Sequence, residues 1–415
     1  MSGAQPGLAP LDCRYLLVIH IPLIIDAQGR RWTERLWQVD LARHTDYISD
    51  LTVACPFVRG TPGPDHVPAD MPGVRFVAIP YPRRTLVSLL RAPVSYWQLW
   101  RLVGRYDFVH SIYGTWWPLG TPYLVNWAAH RRGKCLYINV EASPWRLSRG
   151  ERATPWRRFR SALAEALNRW TLSLADLAVF THEGYRHDLL PRHAERGHVL
   201  HASWIDEAVV LDDAAAQAQW QHRRAALPRV LKLLFAGRLA EDKGVRVMLE
   251  AMQRLRDVGT TRLELSIIGA GELAGLCREH AARSDERVQV RLLSPVAYGA
   301  PFFELLRSHD AVLVPNLADE QPRIVYDAYS QALPVLASAT PGLATCVEEG
   351  VTGYLFAPAD AAALAEAVRR AAADPDALQR LGLRALRSAR GMTHQEMHRR
   401  RHALIARTLA DRAAM

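Results

Sequence analysis

LLFAGRLAEDKG, residues 233–244, begins as an apolar run and ends on a lysine and a glycine. Residues 231–236 have the length and apolar continuity of a strand buried on both faces. Residues 244–258 repeat their apolar positions at helical spacing. A strand that turns through Gly237 and Arg238 into a helix is half of a strand–helix–strand unit. Ligands of open parallel sheets sit at the carboxyl ends of the strands. A helix N-terminus there offers free N–H groups and a favourable dipole to an anion. Arg238 and Lys243 add two cations to the same turn, a pairing suited to a diphosphate. A solvated basic turn, neutralised by Glu241 and Asp242, also accounts for these residues.

The alternation continues on both sides of this turn. Downstream, residues 263–268 read as a strand, followed by Gly269-Ala270-Gly271 and a helix to about residue 282. Residues 288–293, 311–314, 334–337 and 353–356 supply further strands, and from Asp360 the chain is mostly helical. Upstream, strands are expected over 15–21, 51–55, 74–79, 108–112, 135–140 and 177–181, with helical patterns over 32–43, 86–103 and 156–174. Strands alternating with helices predict parallel sheets covered by helices on both faces. Residues 206–228 are polar and alanine-rich and read as a connector or a loose helix. The expected organisation is a domain over 1–207, a linker over 208–227, a second domain over 228–392, and a C-terminal helix over 393–415 packing back on the first domain.

A length of 415 residues suits two domains. The formal net charge of +10 invites an anionic partner without choosing among nucleic acid, acidic lipid and phosphorylated small molecules. The five cysteines are scattered with no CxxC pair, which suggests neither a zinc site nor a disulfide framework. The first residues lack the basic and apolar regions of a signal peptide, so the expected setting is the cytoplasm. The one long uncharged stretch, 111–129, contains Gly114, Pro118, Gly120, Pro122 and Asn126, which break a membrane-spanning helix.

A second polar junction lies about 80 residues beyond the first, in VLVPNLADEQPRIVYDAYSQALPVLAS, residues 312–338. Here a strand gives way to a loop and then to a helix near Arg323 or Ile324. Asp319 and Asp327 bracket that junction, where carboxylates can accept hydrogen bonds from sugar hydroxyls. Taken singly, each reads as an ordinary helix-start or surface charge.

Taken in order, the segments resemble the donor half of retaining GT-B glycosyltransferases of the family 4 type. The resemblance rests on Gly237-Arg238 to Lys243-Gly244, SIIGAGE at 266–272, Asp319 to Asp327, DAYSQALPVLAS at 327–338 and EEGVTGYLFAPAD at 348–360. It is strong over 228–390 and faint before that. It implies an α/β GT-B fold, two Rossmann-like domains facing across a cleft. The implied activity is transfer of a sugar from a nucleoside-diphosphate sugar to a hydroxyl with retention. The acceptor is expected to be a lipid-linked saccharide of cell-surface polysaccharide or glycolipid synthesis. The donor is a co-substrate, and no cofactor, metal or nucleic acid is implied. Arg238 and Lys243 would face the diphosphate, with Gly237 at the turn. Asp319, or Glu320 if the loop shifts by one position, would hold the sugar. Asp327, with Ile324 and Val325 at the start of its helix, would meet the nucleotide.

The departures matter as much as the matches. Both glutamates of the family's pair are aspartates here, and Glu320-Gln321-Pro322 replaces its glycine-rich turn, with no N–H on Pro322. In the first half Glu141 stands where the family often has a histidine; it would bind the acceptor or donor sugar, or serve as a plain strand-end residue. Gly29 would let backbone approach a ligand. A soluble acceptor, an epimerase on the same fold and a non-catalytic binding subunit stay open.

Three motifs are set aside. His182-Glu183 to His187 has one residue too many for a zinc-binding helix pair. Asp374-Pro375-Asp376 reads as a helix start, and Gly269-x-Gly271 lacks the rest of a dinucleotide fingerprint. Two arginine-rich aromatic stretches, 83–105 and 145–170, suit the headgroup region of an anionic membrane at its inner face. They equally suit amphipathic core helices with solvated charges.

Overall fold

A computed structural model describes residues 8–63, 65–80, 85–114, 120–148, 150–225, 230–258 and 262–414. The chain forms two compact units, one of residues 1–146, 153–200 and 397–415, the other of residues 147–152 and 201–396.

The strands of the first unit are β1 (Leu11–Val18), β2 (Leu23–Ile25), β3 (Arg31–Glu34), β4 (Ile48–Cys55), β5 (Phe57–Arg59), β6 (His66–Pro68), β7 (Val74–Ala78), β8 (Phe108–Ile112), β9 (Cys135–Val140), β10 (Leu177–Phe180) and β11 (Gly197–Val199). Seven of them make a parallel sheet in the order β11-β10-β9-β8-β1-β4-β7. Successive residues of β1 serve opposite faces, as the two-residue period of a strand requires. Leu16 and Val18 pack with Val103, Ala128 and Leu172 on one side. Tyr15 and Leu17 pack with Leu41, Met397 and Ile405 on the other. From Met397 on, the helix His394–Ala413 belongs to this unit, and Arg412 ties it to Asp176 (2.7 Å) and the Gly133 carbonyl (2.8 Å).

The helical reading of 32–43 needs correction. Residues 31–34 are the strand β3, and the helix is Arg35–Thr45. β3 pairs antiparallel with β2 in a separate four-stranded sheet of order β5-β2-β3-β6. Gly29 sits in the hairpin turn between them, with φ 78° and its N–H on the Asp26 carbonyl (3.1 Å). Nothing lies within 4 Å of the position a Cβ would take there. The residue serves a tight turn.

The second unit carries β12 (Val230–Ala236), β13 (Arg262–Ile268), β14 (Val288–Leu292), β15 (Ala311–Val314), β16 (Val335–Ser338) and β17 (Gly353–Phe356). They form one parallel sheet in the order β14-β13-β12-β15-β16-β17, the doubly wound arrangement whose direction of winding reverses between β12 and β15. The stretch expected as a linker is built into this unit. Helix Asp213–Ala225 buries Trp220 in the core, and its indole N–H donates to the Ala332 carbonyl (3.0 Å). The stretch looks like a connector because its helix is polar and alanine-rich apart from that one large anchor.

Candidate functional site

The carboxyl ends of β12 and β15 are neighbours at the point where the winding reverses, and the two loops leaving them are fastened together. The Asp242 carbonyl, on the β12 side, accepts the N–H groups of Leu317 (2.8 Å) and Ala318 (3.2 Å) from the β15 side. Gly244, at φ 68°, brings its backbone so close to the Pro315 carbonyl that a Cβ would lie 1.9 Å from that oxygen. Only glycine satisfies both the left-handed conformation and the contact.

This fastening sets the charges. Lys243 pairs with Glu320, which also accepts from the Asn316 amide. Arg238, largely exposed, pairs with Asp242 at 2.8 Å. The structure therefore brings Arg238, Lys243 and Glu320 to one junction. Asp319 turns elsewhere: its carboxylate accepts from Gly342 N–H at 2.8 Å, at the start of the short helix Pro341–Ala344. The N–H of Gly237 is given to the Ile268 carbonyl (3.0 Å), a bond that shapes the turn.

Asp327 is buried in the helix Ile324–Ser330 and accepts from the Tyr298 hydroxyl at 2.8 Å. Burial pushes its carboxyl up to about 6, against the opposing pull of that hydrogen bond and of Arg323. Val325 N–H is taken by the Pro322 carbonyl (3.2 Å), and Ile324 opens the helix beside it. Gln321 is buried, with its amide nitrogen 3.1 Å from His201 Nδ1. Tyr298 and His201 escape a motif reading because they lie outside the quoted segments, and Asn316 and Gln321, inside 312–338, gain partners only in the fold.

In the first unit, Glu141 is exposed just past the carboxyl end of β9 and accepts from Asn139 Nδ2 at 2.8 Å. The arginine-rich stretches divide in their use. Arg157 donates to the carbonyls of Trp145 (2.7 Å) and Arg146 (2.9 Å), and Arg146 pairs with Glu165 (2.7 Å) and Asp188 (3.1 Å). These two are half-buried and brace a turn. Arg83, Arg84 and Arg149 lie outside the described residues. His182 precedes the helix Glu183–Leu189 and is buried, whereas His187 is exposed. Asp374 caps the helix Pro375–Ala389 through Ala377 N–H (2.8 Å), the helix start read for that triplet.

Comparison with known proteins agrees with this architecture. Residues 231–374 match the family described as Glycosyl transferases group 1, and residues 22–203 match the Glycosyl transferase 4-like domain. A glycogen synthase of Mycobacterium tuberculosis is 32% identical over 180 residues, 42% of this chain and 42% of that protein. A D-inositol 3-phosphate glycosyltransferase of Streptomyces avermitilis is 29% identical over 302 residues, 69% of this chain and 62% of the relative. The matches thus span less than two thirds of the length of these relatives. Among solved structures, Anabaena Alr3699/HepE in complex with UDP superimposes with TM-score 0.64 over 96% of this chain and 100% of that one, at 15% identity. The fold is that of the GT-B glycosyltransferases.

The raised pKa of Asp327 gives a stability test. Its carboxyl is raised in the folded state, so its contribution is most favourable below the ordinary carboxylate range and is lost as pH rises through about 6. Asp327→Asn should therefore gain stability relative to wild type between pH 4 and 7, by on the order of 1–3 kcal/mol. Urea unfolding across that range measures it, and a pH-independent difference would remove the buried-acid account.

Proposed function

We propose, on the premise of a GT-B glycosyltransferase fold, that this chain moves a sugar from a nucleoside-diphosphate sugar to a hydroxyl with retention at the anomeric carbon. The observation that carries the reading is the meeting of Lys243, Glu320 and Arg238 where the winding of the second unit reverses. An ammonium group has three donors; Glu320 engages one, which leaves donors for a diphosphate. In the reaction the bond between C1 and the diphosphate oxygen breaks and a bond from C1 to the acceptor oxygen forms. The hydroxyl proton passes to the released diphosphate. Arg238 and Lys243 stabilise the growing charge in place of a metal ion, a preorganised electrostatic role. Glu320 both orients Lys243 and accepts from a sugar hydroxyl. Asp319 anchors the loop through Gly342. Asp327 approaches the nucleotide with Tyr298 as its partner, and Glu141 approaches the sugar or acceptor from the first unit.

A lipid-linked saccharide is the favoured acceptor, because the first unit exposes apolar side chains among arginines. On the helix Pro155–Ser173, Trp156, Phe159 and Trp170 are exposed, and so are Arg158 and Arg169. Exposed aromatics among arginines suit the interface of an anionic membrane. Among the described residues no helix is long and apolar enough to cross a membrane, so the contact proposed is peripheral. The second reading, a soluble phosphorylated acceptor, draws on the likeness to a D-inositol 3-phosphate glycosyltransferase.

Nucleotide release from a panel of sugar donors, with membrane lipid extract or soluble sugar phosphates as acceptor, tests the reaction. Lys243→Ala or Arg238→Ala should lower turnover about 100-fold, the scale of a lost oxyanion donor. Glu320→Gln should reduce turnover more than Asp319→Asn, and EDTA should change nothing. Near-wild-type turnover in a folded Lys243→Ala protein would sink the assignment.

Membrane contact is tested by co-sedimentation with vesicles. The protein should pellet with phosphatidylglycerol and not with phosphatidylcholine, and release as salt screens the charges. Trp156→Glu with Phe159→Glu should abolish pelleting without loss of donor hydrolysis. Equal pelleting with both lipids, or with neither, argues for a solvated face.

A further inference from the structure

Asp327 is 5% exposed, and one of its carboxylate oxygens accepts from the Tyr298 hydroxyl at 2.8 Å. Among the described residues its second oxygen has no hydrogen-bond partner. Arg323, one turn earlier on the chain, lies over the Trp204 ring at 4.6 Å and makes no ion pair with Asp327. A buried oxygen left open in this way costs free energy unless a donor reaches it. An ionised carboxylate only accepts, so the group that completes it carries an O–H or an N–H.

The partner side chain is firmly held as well. Tyr298 lies in the loop leaving β14, and its ring centroid is 5.6 Å from those of both Phe302 and Phe303 on the helix Ala300–Arg307. Its one proton is given to Asp327, which leaves the phenol oxygen as an acceptor. Donation to a carboxylate polarises the phenol and strengthens that oxygen for an incoming donor. Two open acceptors thus belong to one hydrogen-bonded pair, the phenol oxygen and the second oxygen of Asp327. A pair of neighbouring hydroxyls fits them.

Placement in the fold says which hydroxyls these are. The β15 loop that brings Glu320 to Lys243 runs on into the helix Ile324–Ser330, and Asp327 stands seven residues beyond Glu320. β14 and β15 are strands of one parallel sheet, so the loops leaving them lie on its carboxyl-end side, where ligands bind. In a nucleoside-diphosphate sugar the diphosphate has a sugar on one flank and a ribose on the other. On the proposed donor reading Glu320 takes the sugar flank, which leaves the ribose diol for Tyr298 and Asp327.

We propose that Tyr298 selects a ribonucleotide donor: one ribose hydroxyl donates to its phenol oxygen while the neighbouring hydroxyl donates to the open oxygen of Asp327. The assignment rests on the nucleotide-sugar reading and names the residue that separates ribose from deoxyribose.

Calorimetric titration tests it, using whichever of UDP, GDP and ADP binds most tightly, together with its 2′-deoxy and 3′-deoxy forms. Wild type should bind the ribonucleotide about 10-fold more tightly than either deoxy form, the scale of one buried hydrogen-bonding group left unpaired. Tyr298→Phe keeps the ring and its packing and removes only the hydroxyl. It should weaken the ribonucleotide about 10-fold and leave one deoxy form unchanged, so that the preference over that form disappears. Lys243→Ala should weaken all three ligands alike. Melting curves without nucleotide verify the fold of both variants. Equal weakening of all three ligands by Tyr298→Phe would mean that the tyrosine only supports its loop, and overturns the proposal. So does a preference that Tyr298→Phe retains in full. A wild type that binds none of UDP, GDP and ADP overturns the donor reading and the proposal together, whereas binding without discrimination of the ribose overturns the proposal alone.

Discussion

Lys243 and Glu320 come from loops 77 residues apart, and they meet because two strand ends are locked together. The lock is mostly backbone: the Asp242 carbonyl takes two N–H groups from the β15 loop, and Gly244 lies against the Pro315 carbonyl. Sheet order supplies the rest, since β12 and β15 are hydrogen-bonded neighbours whose connections leave in opposite directions. An ion pair whose side chains are only 17% and 21% exposed sits where desolvation offsets much of its Coulombic gain. Such a pair adds little to stability. In the proposed reaction its value lies in holding a cation in place before an anionic ligand arrives, which is what electrostatic preorganisation requires.

The parts of the fold legible in the sequence are those with one strong physical signal. β8, β9, β15 and β17 fall where their largely apolar runs predict, because strands covered on both faces are mostly apolar. The β2–β3 hairpin is invisible to the same reasoning, since strands of three and four residues show no period. Helix Asp213–Ala225 is hidden because alanine and polar residues report helix propensity but not packing; Trp220 alone betrays its attachment. At the site, Arg238 and Lys243 are legible because they share one short turn. Asp319 and Glu320 are not distinguishable in sequence, because adjacent loop residues point to different partners and only the folded loop decides which. Tyr298 could not be found, since the loop after β14 carries no spacing tied to Asp327.

The two units differ in the side chains they expose. The second collects the charges that suit a diphosphate, and it does so with few side chains and much backbone. The first carries exposed tryptophan, phenylalanine, leucine and valine beside arginine on the helices Thr85–Val103 and Pro155–Ser173. Sequence alone shows that these helices are amphipathic. It does not show that their apolar residues exceed what the core takes in, or that the half-buried Arg146 and Arg157 brace a turn. Burial, not composition, separates a solvent-exposed arginine from a structural one.

The central claim is that a donor diphosphate lies at the crossing of the β12 and β15 loops. A crystal structure with bound UDP-glucose tests it most directly. The account predicts diphosphate oxygens within ion-pairing distance of Lys243 and Arg238, with a sugar hydroxyl on Glu320. A nucleotide bound elsewhere, with Lys243 and Glu320 still closed on each other, would contradict it.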